Sequence, residues 1–309
     1  MAPSIYTFGE TVYDIIFRGG DPVAARPGGS MLNAAVSLGR LGTPVSFISE
    51  VSDDPAGHLI TDFLKENGVQ TSYITHYQAG RTALALAFLD ENKEASYTFY
   101  KDYPEVRNLI LPEPAADDHV LFGSFFAITA EMRKPVVEFL KTCQKKNTTI
   151  VYDPNFRKPH LGELEQAKPW IIENISLSDL VRGSEEDFRL IFGWNTAEEA
   201  YSAIRDFGCD HVVYTRSGGK VSLMTPGSSL EVKPPEVSVQ STIGAGDSFN
   251  AGLVYGMFIN GITKANIKGT PREKWKEITE MAAGFGSHVC SGYDNYISVR
   301  FARKIRNLT

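Results

Sequence analysis

Ser241-Thr242-Ile243-Gly244-Ala245-Gly246-Asp247-Ser248-Phe249-Asn250-Ala251-Gly252 runs from a turn of small residues straight into an apolar stretch that continues through Leu253, Val254, Met257 and Phe258. The apolar spacing predicts a helix reaching residue 260, and Gly244, Ala245 and Gly246 leave backbone N–H groups unobstructed at its start. A helix N-terminus carries unpaired N–H donors and the positive end of the helix dipole, so this is a candidate site for phosphate or a developing oxyanion. Asp247 in the first turn has two readings: it caps the helix, or it accepts a proton beside the anion.

Working outward, the chain before this stretch alternates short apolar runs with helical periodicity. A strand over 5–8, a helix from Ser30 to about 41, a strand over 45–51 and a helix over 55–67 predict a mostly parallel sheet flanked by helices. The same rhythm returns with a strand over 119–122, a helix over 133–146 and a strand over 149–152, then helices over 164–175, 185–192 and 197–207 and a strand over 211–214. Runs 221–224 and 230–232 read as a hairpin, and 272–288 as a long helix. The segment 295–309 reads as a basic, solvated tail. The runs 83–89 and 95–100, around the polar turn 90–94, break the alternation; with part of 11–26 they are expected to form a small β-sheet standing off the main one, as a lid over a site or as a passive hairpin.

Ligands of open α/β sheets bind beyond the carboxyl ends of the strands, and several such ends here carry suitable residues. Asp14 follows the first strand and reads either as a ligand to a polyhydroxylated substrate or as a turn carboxylate. Gly28 and Gly29 permit close approach to the backbone, and Asn33 stands one turn into the next helix, with Ser30 as its expected N-cap. The strand over 149–152 empties into Asp153-Pro154-Asn155-Phe156-Arg157, where Arg157 suits a phosphate or carboxylate. Glu185, Glu186 and Asp187 either face a hydrated Mg²⁺ or stabilise the first turn of their helix. Thr215-Arg216-Ser217-Gly218-Gly219-Lys220 supplies a further polar, glycine-bearing strand end.

The net charge of −6 disfavours nucleic acid or an anionic membrane as the main partner. Cys143, Cys209 and Cys290 are widely spaced and odd in number, which reads as reduced thiols rather than a disulfide framework or zinc knuckle. The first ten residues have neither a basic start nor a continuous apolar run, and no stretch has the length and apolarity of a membrane span, so a soluble cytoplasmic protein is expected. The six histidines show no close pairing of metal-ligand type. Gly219-Lys220 precedes Val221 rather than the hydroxyl residue of a Walker loop, and Phe249 stands where a dinucleotide fingerprint needs its third glycine.

Taken together, the glycine pair with Asn33, the loop Asp153-Pro154-Asn155-Phe156-Arg157, the segment Thr215-Arg216-Ser217-Gly218-Gly219 and the stretch Gly244-Ala245-Gly246-Asp247-Ser248-Phe249 resemble the ribokinase-like (PfkB) carbohydrate kinases, in order and spacing over nearly the whole chain. Within that family the chain looks most like the fructokinases. The resemblance implies a single ribokinase-like α/β domain over 1–309, doubly wound, with a lid formed from about 11–26 and 83–101. It implies phosphorylation of a sugar hydroxyl by ATP with Mg²⁺, Asp247 being the general base and the N–H groups of Gly244, Ala245, Gly246 and Asp247 holding the transferring phosphoryl. By the same correspondence Asp14, Gly28, Gly29 and Asn33 hold the sugar, Asn155 and Arg157 the phosphate region or substrate rim, Thr215, Arg216, Gly218 and Gly219 the nucleotide, and Glu186 with Asp187 the metal. Two motifs depart from the family. Ser241 stands where an Asp of the monovalent-cation site is usual, which implies weak potassium dependence. Ser184 and Asp187 stand where the metal motif has Asn and Glu. A homodimer through the lid is a further expectation. The alternatives are a kinase of 2-keto-3-deoxygluconate or of another ketose or nucleoside, and a sensor on the same fold that binds sugar or nucleotide without turnover.

Overall fold

Short apolar runs such as Ile5-Tyr6-Thr7-Phe8 and Ile150-Val151-Tyr152 present apolar side chains to both faces of a sheet, and so need helices above and below. The computed structural model, which describes residues 2–89 and 95–308, has that arrangement. In chain order its first elements are β1 (Ile5–Phe8), β2 (Val12–Arg18), β3 (Asp21–Gly28), α1 (Ser30–Arg40), β4 (Val45–Ser52), α2 (Pro55–Glu66), β5 (Ile74–Tyr77), β6 (Arg81–Leu89), β7 (Ala95–Asp102), β8 (His119–Gly123) and α3 (Ala130–Lys146). There follow β9 (Thr149–Asp153), α4 (Leu164–Ser176), β10 (Leu180–Ser184), α5 (Glu185–Phe192), α6 (Ala197–Asp206), β11 (Val212–Thr215), β12 (Val221–Thr225), β13 (Ser228–Val232), α7 (Ala245–Ile259), α8 (Arg272–Cys290) and α9 (Val299–Arg306).

Among the described residues nine strands form one sheet in the order β13-β12-β11-β10-β9-β8-β1-β4-β5, parallel from β11 to β5 and antiparallel beyond β11. Alternate strand residues feed two cores. Ile5, Leu121 and Val151 pack with α1, α2, α7 and α8, whereas Tyr6, Phe8, Val120, Phe122 and Tyr152 pack with α3, α4, α5 and α6. Strand order runs one way from β1 through β4 and the other way through β8, so the carboxyl ends beside β1 flank a switch point, the usual ligand crevice of such sheets. Helix α7 is buried from Asp247 to Met257. Gly252 lets it approach α8 closely, since a Cβ there would lie 2.8 Å from the Ala282 Cα.

The second sheet, in the order β3-β2-β6-β7, is the small β-sheet expected to stand off the main one; the turn 90–94 lies outside the described residues. Its register puts Arg26, Asp14, Ala85 and Phe99 in one cross-strand row, with Ala24, Ile16, Ala87 and Tyr97 in the next on the same face. Ala85 and Ala87 are buried, and Tyr97 and Phe99 are exposed beside them. The other face carries Leu84, Leu86 and Phe88, with Phe88 stacked on Phe17 at 5.0 Å.

The C-terminal segment corrects the reading as a solvated tail. Tyr296 and Ile297 are buried, Ala302 is fully covered, and Phe301 stacks on His288 at 4.1 Å. Phe301 and Ile305 pack against the core from one side of α9, while Arg303, Lys304 and Arg306 dominate its composition and masked that apolar stripe. Helix α3 begins three residues earlier than expected, and β5 and β10 are strands beyond those expected from the sequence. No helix among the described residues is long and apolar enough to cross a membrane. The three cysteines are free, and burial pushes the Cys143 and Cys209 thiols up to about 12.

Candidate active site

Gly244 opens α7 with φ +79, and a Cβ on it would fall 2.2 Å from the Asn295 carbonyl oxygen, so only glycine fits this turn. The Ala245 N–H turns back to Thr242 O and the Ser248 N–H is taken by Gly244 O. The N–H groups of Gly246 and Asp247 keep no partner among the described residues and point out of the helix start. Asp247 is not the cap; the N-cap is Gly244, and no side chain caps this helix.

The Asp247 carboxylate is instead held from across the site. Ser30 Oγ donates to its Oδ1 at 2.7 Å and Asn33 Nδ2 to its Oδ2 at 2.8 Å. Burial pushes its carboxyl above the ordinary range, while these two bonds and the charge of Arg157 work the other way. A desolvated carboxylate with raised proton affinity is the environment that suits a base. Ser30 was expected to cap α1, but the cap is Gly29 without a side-chain bond; the Ser30 hydroxyl serves Asp247 and accepts from Asn155 Nδ2 at 2.7 Å. Asn155 reaches it from a left-handed backbone, φ 38, at the end of the β9 loop.

Asp14 lies over the glycine pair: a Cβ on Gly28 would meet its Oδ2 at 2.1 Å. Burial raises the Asp14 carboxyl to about 6, against the opposing charge of Arg26. Arg157 is exposed, and its charge acts through space on both Tyr97 of the small sheet and Asp247 at the start of α7. Tyr97 and Phe99 were missed in the sequence; the strand alternation that aims them inward depends on a register set by β6. Glu10, just after β1, accepts from Lys101 Nζ at 2.6 Å and Tyr103 Oη at 2.5 Å, and so ties the edge strand β7 of the small sheet to the main sheet.

Below the Asp247 loop lies a network that the sequence did not reveal. Asp153 is fully buried and receives Arg182 Nη1 at 2.9 Å, Asn250 Nδ2 at 2.5 Å and the Asn155 N–H at 3.0 Å. Arg182 also donates to Thr215 Oγ1 at 2.8 Å, and its Nη1 would lie 3.0 Å from a Cβ on Gly246. The buried guanidinium thus sits beneath the start of α7 and braces three strand-end loops against it.

On the other side of Asp247 a cleft of about 940 Å³ is lined by Thr215 to Val221, Pro234 to Val237, Thr242 to Gly246 and the α8 residues Ala283, Gly286 and Cys290. That volume is at the upper end of small-molecule sites, which span about 300–1,000 Å³. Arg216 lines it while reaching Glu185 Oε1 at 3.3 Å, and Gly218, φ +64, and Gly219 form its rim turn. Thr215 is a correction in part, because its hydroxyl is committed to Arg182 rather than open to a ligand.

The metal pair is corrected too. Both Asp187 oxygens are engaged: Oδ1 accepts the Phe156 N–H at 2.8 Å, and Oδ2 closes a capping box with the Ser184 N–H and hydroxyl. An acid three residues after the N-cap is placed to be the reciprocal partner of a capping box. Glu186 remains exposed on the cleft, 3.4 Å from Lys158 Nζ. The donors therefore fit a hydrated Mg²⁺ faced by Glu186, not one gripped by two carboxylates. Ser241 Oγ accepts the Ile243 N–H at 3.2 Å, a local turn bond with no formal charge to offer a cation. The expectation of unpaired histidines also fails, since His58 and His76 come together with Asp53 at the sheet edge, outside this site.

The description "pfkB family carbohydrate kinase" matches residues 3–299. The chain belongs to this family. It is 28% identical to a fructokinase of Klebsiella pneumoniae over 272 residues, 85% of this chain and 87% of that protein. It is 30% identical to a 5-dehydro-2-deoxygluconokinase of Clostridium tetani over 244 residues, 74% and 71% of the two proteins. The ATP-bound fructokinase of Xylella fastidiosa superposes with a TM-score of 0.84 at 21% identity, covering 100% of this chain and 99% of that one. An aminoimidazole riboside kinase of Salmonella enterica, complexed with its riboside and an ATP analogue, gives 0.83 at 19% identity, covering 98% and 99%. The fold is ribokinase-like, and the pfkB-family protein described here is a carbohydrate kinase, a phosphotransferase acting on a sugar hydroxyl.

Proposed function

We propose that this pfkB-family kinase phosphorylates fructose or a closely similar ketose, with Asp247 as the general base. The observation that carries the reading is the Asp247 carboxylate, desolvated and held by Ser30 and Asn33 beside the unpaired N–H groups of Gly246 and Asp247. The sugar lies between that carboxylate and the lid's inner row, where Asp14 accepts from its hydroxyls and Phe99 and Tyr97 cover its apolar face. The 940 Å³ cleft takes the nucleotide, so the γ-phosphoryl arrives at the start of α7. Asp247 takes the proton of the attacking hydroxyl as the new O–P bond forms and the bond from the γ-phosphorus to the bridging oxygen breaks, ADP leaving with that bond's electron pair, and the two N–H groups with the helix dipole stabilise charge on the phosphoryl oxygens. Glu186 would face a Mg²⁺ brought in with the nucleotide, and the ion would supply charge neutralisation to the phosphates. A cytoplasmic location and a homodimer through the Leu84, Leu86 and Phe88 face belong to the same proposal; sedimentation at falling concentration tests the dimer.

The experiment is ADP release from Mg·ATP with a panel of sugars. Fructose is expected to stimulate release most; tight sugar binding with no sugar-dependent release would favour a sensor. Because Ser241 carries no charge, replacing choline by potassium in that assay is expected to change the rate little, and a large rise would contradict the assignment.

Asp14 adds a pH dependence. With its carboxyl raised to about 6 from an ordinary 3.8, the folded state holds the proton more tightly than the unfolded chain, so stability is lost as pH rises through that window. Asp14→Asn is expected to raise the sugar KM and to narrow the fall in melting temperature between pH 4 and 7. Equal falls in both proteins would refute the burial argument.

A further inference from the structure

Asp53, His58 and His76 are separated in sequence by spacings that carry no metal motif, and it is the fold that gathers them. Strands β4 and β5 pair in parallel with Val51 opposite His76, and the Asp53 N–H extends that ladder to Tyr77 O at 2.9 Å. Asp54 then caps α2 by accepting the Gly57 N–H at 2.8 Å, and this turn carries His58 back over Asp53. One nitrogen from each imidazole and one carboxylate oxygen lie within 4.8 Å of one another, with His58 Nε2 2.7 Å from Asp53 Oδ1. Gln78 Nε2 donates to Asp53 Oδ2 at 2.9 Å and so orients the carboxylate with its other oxygen toward His58, while Thr61 Oγ1 lies 3.4 Å from His76 Nε2. All three residues are exposed, and none lines the nucleotide cleft.

We propose that Asp53, His58 and His76 form a binding site for a borderline divalent cation of the Zn²⁺ class. Two imidazole nitrogens with one carboxylate oxygen suit Zn²⁺, with water completing a tetrahedron; Mg²⁺ prefers oxygen donors alone. Ligand atoms about 2.1 Å from such an ion stand roughly 3.4 Å apart, which small rotations of these exposed side chains reach. Partners that orient ligating side chains, as Gln78 does here, are a usual feature of metal sites. The cation joins the β4–α2 turn to β5 at the root of the lid, where Thr82 Oγ1 and N–H of β6 are held by Asp54 at 2.7 and 2.9 Å. Its binding therefore stabilises the sheet edge from which the lid springs.

The test is titration calorimetry of the chelator-treated full chain with ZnCl2 in excess MgCl2. One saturable Zn²⁺ per chain is expected. His58→Ala and His76→Ala should each weaken it by at least the roughly 10–100-fold that loss of an outer partner typically costs, while sugar-dependent ADP release with Mg·ATP stays at the wild-type rate and shows that both variants fold. Zn²⁺ should raise the melting temperature of the wild type and not of the double variant. No saturable uptake, competition by Mg²⁺ at equal concentration, or unchanged uptake in the double variant would overturn the proposal.

Discussion

Asp247→Asn is expected to fold and to bind both substrates while its turnover falls by about 10²–10⁴-fold, the usual contribution of a positioned base. The substitution is nearly isosteric, and the site accommodates it. The amide oxygen can accept from Asn33 Nδ2, and the amide N–H2 can donate to Ser30 Oγ, a hydroxyl able to reverse its role. What the variant loses is the ability to take a proton at the start of α7, beside the unpaired N–H groups of Gly246 and Asp247. Loss confined to kcat with substrate binding intact marks an interaction made in the transition state. Turnover close to wild type would remove Asp247 from the mechanism.

Arg182→Met is expected to have the largest effect on stability. Arg182 is 7% exposed and its partner Asp153 is not exposed at all. Asn250 and the Asn155 N–H would still donate to Asp153, but the carboxylate would lose its buried countercharge. Breaking such a pair from one side typically costs about 3–5 kcal/mol, mainly because the remaining charge has no compensation. Denaturant unfolding measures the loss. Adding Asp153→Asn to the same chain removes the uncompensated charge and should recover part of it; a double variant less stable than Arg182→Met would show that the pair is not coupled in this way. Turnover should fall as well, because Arg182 braces Gly246 and the Thr215 loop from below.

The features legible in the sequence were those written in local patterns. The glycine turn into the apolar helix at 244–258, the alternation of apolar runs with helices, and the hairpin that departs from that alternation each depend on neighbours within a few residues. What stayed hidden depends on pairings across the chain. Arg182 reads as an ordinary residue in a short run until β10 lies beside β9 and brings it to Asp153. Ser30 has the sequence position of a cap, and only the approach of α7 turns its hydroxyl toward Asp247. Tyr97 and Phe99 gain meaning from a register that places them opposite two alanines. Asp187 showed the converse: its resemblance to a metal position hid a capping box that Ser184 and Asp187 at their three-residue separation already encode. In the C-terminal segment, abundant arginine and lysine concealed Phe301 and Ile305 on one helical face.

Direct transfer of the ATP γ-phosphoryl to a sugar hydroxyl whose proton goes to Asp247 is tested most directly by single-turnover transfer from labelled ATP to fructose. With both substrates saturating, the wild type should yield phosphorylated fructose and Asp247→Asn should form it about 10²–10⁴-fold more slowly. Equal rates in the two proteins, or ADP formed without any phosphorylated sugar, would contradict it.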